Sequence, residues 1–420
     1  MSTSPGPGGV AQPVTRFDVA IIGGGMVGAS LALALADSGR SLLLVEGAAA
    51  DSTAQPSFDD RTTALGNASR RIFQALDVWP AIAPQAAAIR TIHVSDAGRF
   101  GFARLRAQEQ GVDAFGYVVS NRVIGAALWD RLSRLSSVTL RVPARPEAVE
   151  ITSEGVRLTV ASDGGREEFA ARLVVAADGA HSTVRAAAGI DADVEDYDQI
   201  AIVTNVTADR PQDATAYERF TPSGPLAVLP LYDGSYGVVW TVRPDRAAAL
   251  ASLQEDEFLR ELQSRFGWRA GTFVRVGRRV SYPLKLSRAV TTVATRTVLI
   301  GNAAQALHPV AGQGFNLGLR DAAMLAEVLA NDDGDAGAPA LLKRFSDWRA
   351  ADRTGVVRFT DGLVKLFGDS RPGIGMLRNL GLLLFDVTPP AKSALARVSA
   401  GFGGRTPRLA RGLGVREASA

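Results

Sequence analysis

A short apolar run, Val19-Ala-Ile-Ile22, breaks directly into Gly23-Gly-Gly-Met-Val-Gly28, and Ala29-Ser-Leu-Ala-Leu-Ala-Leu-Ala36 follows without a gap. Four apolar residues bounded by glycine read as a parallel strand covered on both faces, and the alanine- and leucine-rich stretch reads as a helix. Gly23 permits the tight turn, Gly25 lets backbone approach a pyrophosphate, and Gly28 allows close packing of helix on strand. The helix N-terminus supplies free N–H groups and positive dipole. Ser38-Gly-Arg ends this helix, and Ser41-Leu-Leu-Leu-Val45 gives a second strand that finishes on Glu46, 23 residues after Gly23. A carboxylate there accepts the ribose hydroxyls of an adenosine half and repels the phosphate that marks NADP. Strand, turn, helix, strand and terminal acid in this order predict a dinucleotide-binding unit, equally compatible with NAD and FAD.

A second junction of this kind lies far along the chain. Thr297-Val-Leu-Ile300 reads as another buried strand, and Gly301-Asn-Ala-Ala-Gln-Ala-Leu-His-Pro-Val-Ala-Gly-Gln-Gly-Phe-Asn-Leu-Gly-Leu-Arg-Asp321 ends it and opens a helix. Small residues stand there wherever a large flat ligand needs room, which points away from a plain dehydrogenase and toward a flavin enzyme. Between the two junctions, Leu173-Val-Val-Ala-Ala177 ends in Asp178-Gly179, with Ser182 and Arg185 following. Asp178 suits a ligand hydroxyl at the sheet edge, or caps the next helix, and position alone favours neither. Asp60-Arg61-Thr-Thr-Ala-Leu65 predicts the opening of a further helical segment, where Arg61 steers a pyrophosphate or flavin edge or forms a surface ion pair. Apolar spacing through Ile124, Leu128, Leu132 and Leu135 predicts a helix with one buried stripe; Arg122, near its start, is a cofactor contact or a surface residue.

Between about Gly189 and Thr295 the texture changes to strands and turns. Ile200-Ala-Ile-Val-Thr, Leu226-Ala-Val-Leu-Pro-Leu and Tyr236-Gly-Val-Val-Trp-Thr-Val read as strands, with Asp233-Gly234 as a hairpin turn, and Glu255 to Phe266 as an amphipathic helix. Pro146 to Val160, before the turn Asp163-Gly-Gly, predicts a small antiparallel excursion. Phe220, Tyr232, Tyr236, Trp240 and Tyr282 line a substrate cavity or, as such residues more often do, a core.

Composition narrows the chemistry. At 420 residues the chain exceeds the usual single-domain size, so two domains are expected. The net charge of +3, with arginines scattered, gives no basic stripe for nucleic acid. With no cysteine, thiolate nucleophiles and cysteine-ligated metals are excluded, and His93, His181 and His308 carry no metal-binding spacing. Met1 to Pro13 reads as a loose leader, and the arginine-bearing tail after Ser399 as mobile and solvated. Ile374 to Val387 is strongly apolar but interrupted by Arg378, Asn379 and Asp386, so it falls short of a spanning helix; it reads as a buried helix or as a surface that meets a membrane or a partner.

Taken together, Gly23-x-Gly-x-x-Gly28, Asp178-Gly-Ala-His-Ser-Thr-Val-Arg185 and Gly301-Asn-Ala-Ala304 resemble the three fingerprints of the class A flavoprotein aromatic hydroxylases, the fold of para-hydroxybenzoate hydroxylase. Leu307-His-Pro-Val-Ala-Gly-Gln-Gly-Phe-Asn-Leu-Gly-Leu-Arg-Asp321 is similar to the signature of the ubiquinone-biosynthesis hydroxylases. Phe58-Asp-Asp-Arg-Thr-Thr-Ala-Leu65, Gly116-Tyr-Val-Val-Ser-Asn-Arg122 and Leu377-Arg-Asn-Leu-Gly-Leu382 resemble the same group, most closely its 2-polyprenyl-6-methoxyphenol hydroxylase branch. The resemblance covers nearly the whole chain.

It implies an α/β fold: a Rossmann-like FAD-binding domain, discontinuous over 15–80, 108–188 and 290–395 and including C-terminal helices, with an inserted, mostly antiparallel substrate domain over 81–107 and 189–289. Residues 1–14 and 400–420 are expected to be flexible. It further implies that Gly23, Gly25, Gly28 and Glu46 hold the AMP half of FAD and that Arg61 and Arg122 lie along the pyrophosphate and ribityl regions. Asp178 would belong to the fingerprint that serves FAD and reduced nicotinamide. Asn302 stands where the wider superfamily has aspartate and can still bond a ribityl hydroxyl; His181 stands where related chains often have arginine. Gly312, Gly314 and Asn316 would bring backbone close to the isoalloxazine ring, and Gln313, Phe315 and Val310 would shape its pocket. No protein base is identified: His308 relays a proton or is structural.

The implied reaction is reduction by NADPH or NADH, addition of molecular oxygen at flavin C4a to give a hydroperoxyflavin, and attack on it by an electron-rich polyprenylated phenol in ubiquinone formation. The implied setting is cytoplasmic, with peripheral contact at the inner membrane and association with other proteins of the pathway. Two other readings fit the same motifs: a different class A flavin reaction such as prenyl reduction, and a non-catalytic FAD-bearing component of a biosynthetic complex. The halogenase motif W-x-W-x-I-P is absent from the chain.

Overall fold

The computed structural model describes residues 14–49, 61–307, 312–368, 381, 384, 386, 388–402 and 404–417. The leader 1–13, Phe58 to Asp60, His308, Val310 and most of 374–387 lie outside them. No helix of the described residues is long and apolar enough to cross a membrane.

Five parallel strands form the centre of an eight-stranded sheet, in the order Thr297–Leu299, Gly165–Ala176, Thr15–Ile22, Leu42–Val45 and Val138–Arg141. The near-continuous apolar runs are explained by burial on both faces. Val19, Ile21, Leu44, Leu173 and Val175 pack toward helices Met26–Leu35, Asn121–Ser133 and Gln313–Ala330. Ala20, Leu43, Val174 and Ala176 pack on the other side with Val156, Leu158 and Phe169. The expected antiparallel excursion is the pair Ala144–Ile151 and Val156–Ser162, which joins Gly165–Ala176 through a turn where Gly165 has φ +110°. Ala144 to Ala176 thus leaves the parallel sheet and returns to it.

The second sheet has nine strands and is antiparallel except where Thr215–Thr221 runs parallel to Thr91–Asp96. Its members include Ala192–Ala208, Gly224–Pro230, Tyr236–Val242 and Val280–Ala289, and the Leu226-to-Val242 hairpin turns at Asp233-Gly234 as expected. One face is covered by helices Pro244–Ser252 and Glu255–Phe266, whose Leu250, Phe258, Leu262 and Phe266 pack against Val228, Tyr236, Val238 and Trp240. The other face carries Ala201, Val203, Ala216, Ala227 and Val239 toward the parallel sheet. Gln305–Ala306, immediately after the Gly301 junction, pairs with Val280–Ala289. That junction therefore crosses from one sheet to the other.

Two expectations are corrected. Thr62–Gly66 is not the start of a helix: its β-branched threonines pair antiparallel with Gly116–Ser120 in a three-stranded sheet, and the helix begins at Asn67. The described part of the tail after Ser399 is anchored to the fold. Leu409 and Ala410 sit in the main core, Arg408 N donates to Glu327 Oε2 at 2.6 Å, and Asn331 Nδ2 donates to the Val415 carbonyl at 3.0 Å. Two apolar residues inserted beside the helix Gln313–Ala330 outweigh the glycines and arginines around them.

Candidate active site

The first glycine turn is shaped by contacts that leave no room for side chains. Gly23 has φ +101°, where a Cβ would overlap the Ala177 carbonyl, and a Cβ on Gly28 would run into the Gly23 carbonyl oxygen. Trp129 Nε1 donates to the Gly24 carbonyl at 3.1 Å, and Glu46 accepts from Gly24 N at 2.6 Å and from Ala48 N at 2.8 Å. Each Glu46 oxygen keeps a lone pair for a further donor. Gly25 caps the helix Met26–Leu35 with no side chain of its own, and no acid stands in the first turn. The N–H groups and positive dipole are left for an anion.

At the next strand end the two oxygens of Asp178 divide the two readings of that residue. Oδ2 accepts from Thr183 N at 2.8 Å and from Val184 N at 3.3 Å, the capping role, while buried Oδ1 has no protein partner. Arg185 holds this loop against the Gly301 junction by donating to the carbonyls of Ala303 and Ala180, at 3.0 and 2.8 Å. Asp321 fixes the junction from behind. Its Oδ2 accepts from Gly301 N at 3.1 Å and Gln305 Nε2 at 2.9 Å, and its Oδ1 accepts from Arg349 Nε at 2.7 Å. Arg349 is 2% exposed, so this is a buried ion pair whose remaining polar capacity is spent on the loop.

Gly312, at φ +60°, caps the helix Gln313–Ala330, again with no side-chain cap and no acid in the first turn. Asn316 is committed to protein: its Oδ1 accepts from Gly66 N and Ser69 Oγ, and its Nδ2 donates to the carbonyls of Ala64 and Gly312. It latches the strand Thr62–Gly66 to the helix rather than offering its amide to a ligand. A Cβ on Gly314 would meet nothing of the protein within 4 Å. Glycine in a helix costs about 1 kcal/mol relative to alanine, and at Gly314 no protein packing demands it.

These elements open onto one cavity of about 1410 Å³, larger than the roughly 300–1,000 Å³ of ordinary small-molecule sites. Gly23, Gly25, Glu46, Arg61, Asp178, Asn302, Gly312, Gln313, Gly314 and Asn316 all line it. Gly28 lies beneath the turn as a packing residue. Arg122 is not on the wall; its side chain is exposed, and Asn121, bonded to Thr63, takes the wall position. Arg61 stacks 5.0 Å from the centroid of the Tyr282 ring. Of the five aromatics singled out in sequence, Phe220 and Tyr282 line the cavity, Tyr236 and Trp240 are core, and Tyr232 is exposed. His181 lines the cavity, whereas His93 stacks on Phe102 behind the sheet, where burial and then Arg269, Arg104 and Arg219 push its imidazole down to about 4. No acidic or histidine cluster among the described residues suits a metal.

Sequence reading missed three side chains. Trp129 and Arg349 act on partners 105 and 28 positions away in sequence, with no local signature. Glu218 faces the cavity because of strand register, which local sequence does not display. The donor set fits FAD: two uncapped helix ends for its anionic parts, the orphaned Asp178 Oδ1 for a hydroxyl, and the unfilled space over Gly314 for a flat ring.

Comparison with known proteins agrees. A family model described as an FAD binding domain matches residues 16–360. The ubiquinone hydroxylase UbiL of Rhodospirillum rubrum is 39% identical over 402 residues, 94% of this chain and 93% of the relative. The 3-demethoxyubiquinol 3-hydroxylase of Escherichia coli is 34% identical over 372 residues, 87% of this chain and 94% of the relative. Among solved structures, p-nitrophenol 4-monooxygenase from Pseudomonas putida superposes with a TM-score of 0.77 at 21% identity, covering 94% of this chain and all of that one. At that identity the likeness speaks to the fold: a Rossmann-like FAD-binding unit with an inserted, mostly antiparallel sheet and C-terminal helices.

Proposed function

Because this chain belongs to the class A FAD-dependent aromatic hydroxylases of the ubiquinone-biosynthesis family, we propose that it hydroxylates the ring of a polyprenylated phenol such as 2-polyprenyl-6-methoxyphenol. NADPH or NADH would be the reductant and molecular oxygen the oxygen source. The observation that carries this reading is the continuous cavity that runs from the Gly23 turn to an apolar sheet face. When bound, FAD supplies the activation of oxygen and its delivery to the ring.

The chain's own residues have four tasks in this proposal. Gly23, Gly25 and Glu46, on the packing base given by Gly28, hold the AMP half, with Arg61 toward the pyrophosphate. Asp178 and Asn302 accept from or donate to the ribityl side. Gly312, Gln313 and Gly314 bring backbone and a helix N-terminus to the flavin ring, stabilising negative charge there. The sheet built from 91–106 and 192–289 serves as the substrate side, its apolar face excluding water and seating the phenol. A polyprenyl chain partitions into bilayer, so in this proposal the enzyme would work in peripheral contact with the cytoplasmic face of the inner membrane and associate with other proteins of the pathway.

The test uses purified, FAD-loaded protein with a short-chain 2-prenyl-6-methoxyphenol, following NAD(P)H oxidation and oxygen uptake and identifying product by mass spectrometry. A product heavier by one oxygen atom is expected. Bound FAD with no turnover on any prenylphenol would overturn the reading. The quinone intermediate that accumulates in a strain lacking the gene identifies the ring carbon.

A further inference from the structure

Strand Thr215–Thr221 places Ala216, Glu218 and Phe220 on the cavity face of the second sheet. Register sets Glu218 directly between Val94 on one neighbouring strand and Ala227 on the other. A carboxylate on a sheet is normally matched by a cross-strand cation, and here both direct neighbours are apolar. Val239, two strands away, is apolar as well. Arg219, next in sequence, points to the opposite side and donates to the Arg265 carbonyl at 2.8 Å. Glu218 Oε1 is buried and has no hydrogen-bond partner among the described residues. Among the described residues, Arg61, Lys285 and Tyr282 are the other titratable groups lining the cavity from this side and none of them bonds Glu218 Oε1, while Tyr217 packs with Phe266 on the helix-covered face. Burying an unpaired carboxyl costs stability, and nothing in the packing of this strand requires an acid at the position.

We propose that Glu218 is the residue that receives the phenolic hydroxyl of the substrate, fixing the ring on the sheet face and taking up its proton. The proposal rests on the reading of the substrate as a phenol. In the step, the phenol O–H bond breaks, the electron pair stays on the phenolate oxygen, and the proton forms an O–H bond to Glu218, which becomes neutral. No oxidant or reductant is needed. The phenolate so formed is the more electron-rich ring that oxygen insertion requires. Burial pushes the carboxyl up to about 7, which brings this base toward the range in which general bases operate at neutral pH.

Calorimetric titration of the FAD-loaded protein, without reductant and so without turnover, tests the assignment. The ligands are a short-chain 2-prenyl-6-methoxyphenol and its methyl ether, which keeps the shape and lacks the proton. Wild type is expected to bind the phenol about 10- to 100-fold more tightly than the ether above pH 7, as for a hydrogen bond to a charged group. Glu218→Gln, nearly isosteric, is expected to lose that preference while retaining FAD, and Glu218→Asp to keep part of it. An undiminished preference in Glu218→Gln, or equal binding of phenol and ether by wild type, overturns the role of Glu218 and leaves the substrate class standing. If wild type binds neither ligand, the substrate reading fails, and the proposal fails with it.

Discussion

At the dinucleotide end of the cavity the wall is backbone, drawn so tight that a single methyl group at Gly23 or Gly28 meets a carbonyl. At the sheet end the wall is side chain, with Ala201, Val203, Ala216, Ala227 and Val239 alternating along strands whose backbone is paired elsewhere. The first kind of wall tolerates almost no substitution, because its geometry is the binding surface. The second is a set of exchangeable groups on a fixed frame, so its shape and polarity are free to be set residue by residue. A common oxidising cofactor and a variable aromatic substrate need these two kinds of surface.

The contrast is broken most severely by Gly28→Val. The added side chain must displace the Gly23 turn or the helix behind it, and the purified variant is expected to retain no flavin, read from its visible absorbance. Next comes Arg349→Met, which strands the Asp321 carboxylate in the core. A loss of about 3–5 kcal/mol is expected in urea unfolding, as for other broken buried pairs, together with weaker flavin retention because Asp321 holds Gly301 N.

At the sheet end the sign reverses. The folded-state pKa of Glu218 is raised from 4.5 to about 7 by burial. Its neutral form therefore contributes stability that is fully present below the unfolded value and lost as pH rises through about 7. Glu218→Gln does not titrate, so it should melt about 2 °C or more above wild type near pH 8 and match it near pH 4.5. A residue whose removal stabilises the fold and weakens ligand binding is the mark of a functional wall. The smallest effect belongs to Arg122→Ala: its side chain is exposed and off the cavity wall, so FAD affinity should change by less than about twofold, within the ±0.5 kcal/mol usual at surfaces. A larger loss would extend the cradle to the start of the helix Asn121–Ser133.

The same contrast explains what was legible in the sequence. Gly23, Gly25, Gly28 and Glu46 announce themselves because backbone geometry restricts residue type at fixed spacing. The second and third junctions, at Asp178 and Gly301, are visible for the same reason. Position alone reads Asp178 as cap or ligand contact, and the structure assigns one oxygen to the cap and leaves the other buried without a protein partner. Arg122 is exposed and off the cavity wall, a direction that proximity to a helix start does not reveal. Asn316 belongs to the motif through a latch to Ala64 and Gly66, some 250 residues away. Glu218 was invisible: a lone acid in Ala216-Tyr-Glu-Arg-Phe220 gains meaning only when register places Val94 and Ala227 beside it. The tail failed through composition, since glycine and arginine outnumber Leu409 and Ala410, yet those two reach the core.

One cavity is proposed to seat the flavin at its backbone wall and the phenol at its sheet wall. A crystal structure of the protein with FAD and a short-chain 2-prenyl-6-methoxyphenol tests it directly. The flavin ring is expected against Gly312–Gly314 and the phenol on the face formed by Val94, Glu218 and Ala227, its hydroxyl within hydrogen-bond distance of the carboxylate. A phenol bound outside this cavity, or seated with its hydroxyl turned away from the sheet, would contradict it.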